Sequence, residues 1–172
     1  TLLASIARPK VAVVTNVYPV HIERMGTIEA IAQTKSELVA AIPPDGLVVL
    51  NGDDQRVRAM AALTQARVIT YGLEEHNDIV ADSVHSEGLN GTRFRVWIDG
   101  EDYSIKVPLI GAHAVQLAMA AIGVGHGLGM HISDMLPGFN DPGVQVRLLV
   151  LPGPNGSRLI DDTYNASTPS VL

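Results

Sequence analysis

The sequence has no cysteine, no long basic run and no apolar run long enough to cross a membrane. The lack of cysteine excludes disulfides and thiolate metal sites, and it is compatible with the cytoplasmic location that we expect. A formal net charge of -6 argues against a function that depends on phosphate contacts with nucleic acid. The most apolar stretch, residues 115–128, is interrupted by Gln116, His126 and three glycines, so we expect no membrane contact. Residues 1–10 lack the apolar core of a signal peptide.

What the sequence does contain is enough apolar side chain for one good core, since 47% of its 172 residues are hydrophobic. Three short β-branched runs lie at residues 11–14, 46–50 and 67–71. Helices are predicted between them, one beginning after Thr27 and one over residues 55–65. Successive βα units predict a parallel sheet with right-handed crossovers. The predicted fold class is therefore α/β, a parallel sheet with flanking helices.

The pattern changes to short alternating runs between residues 78 and 109. Asn90-Gly91 and Asp99-Gly100 separate these runs, and such dipeptides are strong hairpin signals. We therefore expect a small antiparallel meander packed beside the parallel sheet. Phe94 and Trp97 are predicted to lie in its core.

The later part of the chain predicts two more helices and a hairpin. The first helix covers residues 111–129, with His113 in its first turn, where free backbone N–H groups favour an anion or a polar ligand. His113 is either structural or a ligand contact. A short helix follows at residues 131–139. A run of turn-forming residues then separates two strands of a hairpin, at residues 146–151 and 157–161.

The first loop and the helix after it carry the most informative residues. Residues 15–16 begin a loop at the carboxyl end of the first strand, where open α/β sheets bind ligands. In the helix that follows, Lys35 falls in the middle of the apolar stripe. Its charge can extend past the apolar neighbours to water or to a carboxylate. Alternatively, burial depresses the pKa of the amine, which can then react with carbon dioxide to give a metal-binding carbamate.

The run T-N-V-x-P-x-H-I-E-R-M-G-T-I-E-A-I-A-x-x-K-x-E-L, residues 15–38, resembles the central domain of the Mur ligase family. It is most similar to the MurF type, which joins D-alanyl-D-alanine to UDP-N-acetylmuramoyl-tripeptide. In that family the histidine that matches His21 belongs to the magnesium site. The lysine that matches Lys35 is carbamylated and helps to hold magnesium near the phosphates. The resemblance therefore implies the carbamate interpretation of Lys35.

Two further segments bear on nucleotide binding. On its own, Asn51-Gly52-Asp53-Asp54 is either an ordinary turn or a loop suited to contact a nucleotide through its side chains. The resemblance implies that Asn51 and Asp54 lie close to the adenosine pocket. The family usually shows H-N-x-x-N-x-x-A-A in a later helix. This sequence keeps His113 but has Ala114 and Leu117 at the asparagine positions, and neither of these side chains can form a hydrogen bond to adenine.

The segment L-x-G-P-N-G-x-x-x-I-D-D-T-Y-N-A-x, residues 151–167, resembles the crossing from the central to the C-terminal domain of MurF-type ligases. Arg147 matches the arginine that approaches the ATP phosphates in the family. Asp162 matches an aspartate near the ribose. We accordingly assign residues 1–145 to part of the central domain, and residues 146–172 to a hairpin and the start of the C-terminal domain.

The sequence contains no G-x-x-G-K-[ST] phosphate loop, so we expect an internal fragment that is inactive alone. By resemblance, the full enzyme uses ATP and Mg²⁺ and acts on UDP-N-acetylmuramoyl-tripeptide and D-alanyl-D-alanine through an acyl phosphate. Loss of upstream strands leaves a sheet edge unpaired, which predicts self-association. Two alternatives remain: a related amide ligase of the cyanophycin synthetase or folylpolyglutamate synthase type, and a stand-alone binding module that kept the fold and lost catalysis. The D-D-T-Y-N-A run favours the MurF type over the other ligases.

Overall fold

The computed structural model of the protein describes residues 2–19, 25–111, 113–140 and 149–161. The α-helices are α1 (Leu2–Ala7), α2 (Ile28–Ala40), α3 (Gln55–Ala59), α4 (His113–Gly127) and α5 (Ile132–Met135). The strands are β1 (Val11–Val14), β2 (Leu47–Asn51), β3 (Arg67–Gly72), β4 (Ile79–Ser86), β5 (Thr92–Ile98), β6 (Glu101–Val107), β7 (Leu149–Pro152) and β8 (Arg158–Asp161).

Strands β1 to β6 form one sheet in chain order, parallel from β1 to β4 and antiparallel from β4 to β6. The predicted α/β class is confirmed. The meander is present, but it does not pack beside the parallel sheet as a separate layer. Its first strand, β4, pairs with β3 at Tyr71 and Gly72, so the meander continues the same sheet edge to edge. The pairing covers only the last two residues of β3, and the amide of Thr70 donates instead to Oδ2 of Asp78 at 2.7 Å.

Strand β2 lies within the parallel part and is buried along its whole length. Leu47 and Val49 face the core that contains α4, whereas Val48 and Leu50 face the core that contains α2 and α3. A strand buried on both faces requires a continuous apolar run rather than alternation, and the sequence L-V-V-L provides it. The protein therefore has three layers, with helices on both faces of the sheet.

Helix α4 packs closely on β2 because two of its glycines face that strand. A Cβ atom at Gly123 would lie 2.8 Å from Cγ1 of Val49, and one at Gly127 would lie 2.4 Å from Cδ2 of Leu47. Neither position leaves room for a side chain unless the contacting side chain of β2 moves. This packing places the first turns of α4 at the carboxyl end of β2, where the predicted site lies.

Several local signals in the sequence correspond to the observed ends of elements. Thr27 is the N-cap of α2, and its hydroxyl accepts a hydrogen bond from the amide of Ala30 at 3.1 Å. Asp99-Gly100 forms the two-residue turn between β5 and β6 with φ values of 53° and 83°, as a type I′ hairpin requires. The helix predicted at residues 55–65 is shorter, because α3 continues as a 3₁₀ helix at Met60–Leu63.

The aromatic residues of β5 have different environments. Phe94 is 1% exposed and lies in the core, as predicted. The prediction that Trp97 lies in the core is wrong, because successive side chains of a strand alternate between faces and positions 94 and 97 differ by an odd number. Trp97 is 37% exposed. Its Nε1 donates to Oδ2 of Asp82 at 2.8 Å, and the guanidinium of Arg95 lies 5.1 Å from the ring centroid.

The C-terminal elements are smaller. The helix predicted at residues 131–139 is α-helical only in α5 and then 3₁₀ at Leu136–Asn140, where Pro137 cannot donate a backbone hydrogen bond. Strands β7 and β8 form a second, antiparallel sheet, as the predicted hairpin requires. Among the described residues, no helix combines the length and the apolar character needed to span a membrane.

Candidate functional site

Lys35 of α2 meets the loop after β1 at the carboxyl end of the sheet. Its Nζ donates a hydrogen bond to the carbonyl oxygen of Asn16 at 2.5 Å. The side chain is partly buried, and this burial lowers the pKa of the amine, an effect that the negative charge of Asp54 partly opposes. Lys35 therefore points to the carboxyl edge of the sheet, and its pKa lies below that of a lysine in water.

Asn51, the last residue of β2, is buried and has its amide fully engaged. Its Nδ2 donates to the carbonyl oxygen of Thr15 at 2.8 Å and to Oε1 of Gln116 at 2.9 Å. Its Oδ1 accepts from the amide of Asp53 at 3.1 Å. Asn51 thus connects three parts of the protein: the loop after β1, the loop after β2, and the first turns of α4.

Asp54 uses both carboxylate oxygens to hold backbone amides. Oδ1 accepts from the amides of Arg56 and Val57, at 2.9 and 3.3 Å, and so caps α3. Oδ2 accepts from the amide of Val17 at 2.7 Å. Asp54 therefore fixes both the start of α3 and the loop after β1, and its charge lies close enough to Lys35 to influence the pKa of the amine.

Three consecutive residues of the loop after β1 are consequently bound by side chains from three different elements. We call these side chains the loop clamp, and they are Lys35, Asn51 and Asp54. The backbone groups that they hold belong to Thr15, Asn16 and Val17. Because the clamp leaves little freedom to this loop, the main chain at the carboxyl end of β1 is preorganised.

Asp53 holds the neighbouring loop, the one after β3. Its carboxylate accepts from the amides of Leu73 and Glu74, at 2.7 and 3.1 Å, and from Nδ2 of Asn77 at 2.9 Å. The short polar segment after β2 therefore organises the loops on both sides of it, through Asn51 and Asp54 on one side and Asp53 on the other. Turn chemistry alone, the simpler reading of this segment, does not account for these long-range bonds.

His113 is the first residue of α4 and is exposed. The next residue, Ala114, is completely buried, whereas Leu117 is 51% exposed. The two positions at which the family usually has asparagine thus differ in environment here, and only Leu117 faces the surface. His113 stays a predicted nucleotide contact.

Three predicted site residues, His21, Arg147 and Asp162, lie outside the described residues, and their roles stay predictions. Gln116, in contrast, belongs to the observed network but was not singled out in the sequence. The only available signal was a polar residue within an apolar helix, and such a residue is more often simply exposed.

The loop clamp also bears on metal binding. Within the described ranges, no three histidine, aspartate or glutamate side chains group together so as to hold a metal ion. Mg²⁺ prefers oxygen ligands, and a carbamate on Lys35 would provide anionic oxygens next to the carbonyl oxygen of Asn16. The donor chemistry of Lys35 and its neighbourhood therefore fits a hard cation once the amine is carbamylated.

Together these features define an α/β domain in which polar groups converge at the carboxyl ends of parallel strands, the place where such sheets bind their ligands. Residues 1–125 match the family model described as the Mur ligase middle domain. The chain therefore belongs to the Mur ligase family.

Similarity to individual proteins extends over nearly the whole chain. The chain is 36% identical over 171 residues to the UDP-N-acetylmuramoyl-tripeptide--D-alanyl-D-alanine ligase of Mycobacterium tuberculosis (strain ATCC 25618 / H37Rv). This match covers 98% of this chain and 34% of the relative. It is 34% identical over 172 residues to the ligase of the same name from Bacillus subtilis (strain 168), covering 99% of this chain and 36% of the relative. A crystal structure of MurF from Acinetobacter baumannii has a TM-score of 0.86 at 25% identity, covering 98% of this chain and 37% of that one. The chain thus spans about a third of the length of these relatives.

Proposed function

We propose that the chain is the middle part of an ATP-dependent amide ligase that adds D-alanyl-D-alanine to UDP-N-acetylmuramoyl-tripeptide in peptidoglycan precursor synthesis in the cytoplasm. Membership of the Mur ligase family and similarity to ligases of that name support the proposal. The single observation that carries it is the position of Lys35. Its pKa is lowered by burial, and its Nζ is aimed at the main chain where the sheet binds ligands.

The reaction proceeds in two steps. A carboxylate oxygen of the tripeptide attacks the γ-phosphorus of ATP, the bond to the β,γ-bridging oxygen breaks, and ADP leaves with the electron pair. The amine of D-alanyl-D-alanine then attacks the acyl carbon, inorganic phosphate leaves, and the amine nitrogen loses a proton. Negative charge is spread over the transferred phosphoryl oxygens, so catalysis depends on positioning and on nearby positive charge.

The chain's own residues take the following roles in this proposal. Lys35, as a neutral amine, would add carbon dioxide and release a proton to give a carbamate, and this carbamate and His21 would hold Mg²⁺. Mg²⁺, when bound, neutralises charge on the phosphate oxygens. Arg147 contacts the phosphates, Asp162 the ribose and His113 the base side of the nucleotide. Asn51 and Asp54 contribute to the nucleotide site through the loop main chain that they fix.

We further propose that residues 1–145 form part of the central domain and that residues 146–172 begin the C-terminal domain. The change from the six-stranded sheet to the separate sheet of β7 and β8 supports this division. The chain lacks the phosphate loop of the family, so in this proposal the activity belongs to the complete gene product, and residues 1–172 alone are inactive.

The experiment is a ligation assay of the complete gene product that contains residues 1–172, with ATP, UDP-N-acetylmuramoyl-tripeptide and D-alanyl-D-alanine. Mass spectrometry is expected to detect the pentapeptide product with one ADP released per amide bond. Three comparison reactions test the other amide ligases. They use UDP-N-acetylmuramate with L-alanine, a folate with L-glutamate, and, for the cyanophycin synthetase type, aspartate with arginine. Product from one of these pairs instead would assign another amide ligase activity. Nucleotide binding without any product would support the binding-module alternative and contradict catalysis.

A further inference from the structure

Gln116 is the third residue after His113, the first residue of α4, and it lies where this helix meets the end of β2. Its Oε1 accepts a hydrogen bond from Nδ2 of Asn51 at 2.9 Å. The two residues are separated by 65 positions in the chain, so only the packing of α4 on the sheet brings them together. The close approach at Gly123 and Gly127 makes that packing rigid.

The side-chain amide of Asn51 has two N–H groups, and both donate hydrogen bonds. One goes to the carbonyl oxygen of Thr15 and the other to Gln116. Asn51 is only 3% exposed, so water cannot readily replace either acceptor. Loss of the Gln116 oxygen would leave a buried N–H without a partner, and rotation of the amide to relieve this would break the bond to Thr15.

The carbonyl of Thr15 is followed directly by the carbonyl of Asn16, which accepts the hydrogen bond from Lys35. The two carbonyls belong to successive planar peptide units that meet at the Cα atom of Asn16. Asp54 holds the second unit through the amide of Val17, so a shift of the first carbonyl changes the φ and ψ of Asn16 or displaces the second carbonyl. The position of the Lys35 amine therefore depends on Asn51, and the orientation of the Asn51 amide depends on Gln116.

We propose that Gln116 is a positioning residue for Lys35, acting through the amide of Asn51 and the main chain of Thr15 and Asn16. This inference rests on the proposed function, since it assigns Gln116 a part in the ligation reaction. Gln116 acts through its oxygen as an acceptor. Its Nε2 has no hydrogen bond to another described residue and is not needed for this role.

The test compares three variants of Gln116 in the complete gene product. Gln116→Leu removes the acceptor, and kcat for ligation is expected to fall about tenfold, with KM for ATP changed less than about threefold, because misplaced groups lose transition-state stabilisation. Gln116→Asn, one methylene shorter, should behave in the same way. Gln116→Glu keeps an acceptor oxygen and should retain kcat within about threefold. Gln33→Leu removes an exposed amide from α2 and is the matched control.

Hydrogen exchange of the backbone amides of residues 15–18 in the 172-residue chain provides a second readout that needs no activity. Exchange should accelerate about tenfold in Gln116→Leu and stay unchanged in Gln116→Glu and Gln33→Leu. Unchanged exchange in Gln116→Leu would overturn the inference, as would a loss of kcat in Gln116→Glu as large as in Gln116→Leu, which would assign the role to Nε2. If the wild-type gene product catalyses no ligation, the proposed function fails, and the exchange rates still decide whether Gln116 controls the loop.

Discussion

The Nζ of Lys35 and the carbonyl oxygen of Asn16 are 2.5 Å apart although the residues are 19 positions apart in the chain. This bond joins α2 to the loop after β1 and places a partly buried amine at the carboxyl end of the parallel strands. A lysine that only needed to keep its charge in water would extend away from the sheet. Lys35 instead binds the main chain of the loop after β1.

The lowered pKa of Lys35 predicts a specific dependence of stability on pH. Burial holds the pKa of Lys35 in the folded state below 10.5, the ordinary value for lysine in an unfolded chain. At pH values between the pKa of Lys35 in the folded state and its pKa in the unfolded state, the unfolded chain binds more protons than the folded chain. The free energy of unfolding therefore rises with pH in this range. Lys35→Met lacks this contribution. Urea denaturation at increasing pH is expected to show the wild type gaining stability relative to Lys35→Met as the pH approaches 10.5, with Lys10→Met as the control for loss of a positive charge. Parallel curves for wild type and Lys35→Met would contradict the prediction.

Asp54→Ala is expected to destabilise the chain by about 2–3 kcal/mol, because it removes the cap of α3 and leaves the amide of Val17 without its acceptor. Asp54→Asn keeps one acceptor oxygen and should cost about half as much. Asp45→Ala removes a carboxylate whose ion pair with Lys10 is exposed, and it should change the free energy of unfolding by less than about 0.5 kcal/mol. Urea denaturation measures all three, and equal effects of Asp54→Ala and Asp45→Ala would refute the role of Asp54.

The two aromatic residues of β5 are expected to differ in their contribution to stability. Phe94→Ala creates a cavity in the core between the sheet and α4, and it should cost about 3–5 kcal/mol. Trp97→Ala removes a side chain from the outer face of the sheet and should cost about 1 kcal/mol. Thermal or urea denaturation distinguishes them. A loss at Trp97 as large as that at Phe94 would mean that the outer face is covered.

The edge strands predict self-association of the 172-residue chain. Among the described strands of the large sheet, β1 has one edge without a partner and carries no charge, whereas the other edge strand, β6, carries Glu101, Asp102 and Lys106. Charges protect an edge from pairing, so β1 is the edge expected to associate with a second copy. Helix α1, which precedes β1, also has apolar side chains that are 70–78% exposed: Leu2, Leu3 and Ile6.

Light scattering should therefore give an average mass that increases with protein concentration. Val13→Lys, at a position 36% exposed in β1, should shift the chain toward the monomer. Ser104→Lys in β6 is the control and should have little effect. A monomer at all concentrations would show that the edge of β1 does not associate.

The sequence predicted much of the fold because local signals dominate there. The strand at residues 11–14 has the bounds expected from its β-branched run, and Thr27 caps the helix that it was expected to cap. The continuity of the two parts of the sheet was not predicted, because parallel neighbours normally need a crossover of about a dozen residues or more, whereas residues 73–78 alone connect β3 to β4. Hydrophobic character alone does not place Trp97, because alternation along β5 puts its side chain on the face opposite to that of Phe94.

The site was only partly predictable. Lys35 was identifiable from its place on an apolar stripe, because a charge there requires an explanation. The roles of Asn51 and Asp54 in holding the loop after β1 depend on how three elements pack, and a turn sequence does not reveal this. Gln116 was missed for the same reason, since its partner lies 65 positions away.

A carbamate on Lys35 at the phosphate site can be detected by ¹³C NMR of the complete gene product in ¹³C-bicarbonate with Mg²⁺ and a non-hydrolysable ATP analogue. We expect a carbamate carbon resonance in the wild type that is absent from Lys35→Met and that disappears when dissolved carbon dioxide is removed. A wild-type spectrum without this resonance, recorded on protein that binds the nucleotide, would contradict this expectation.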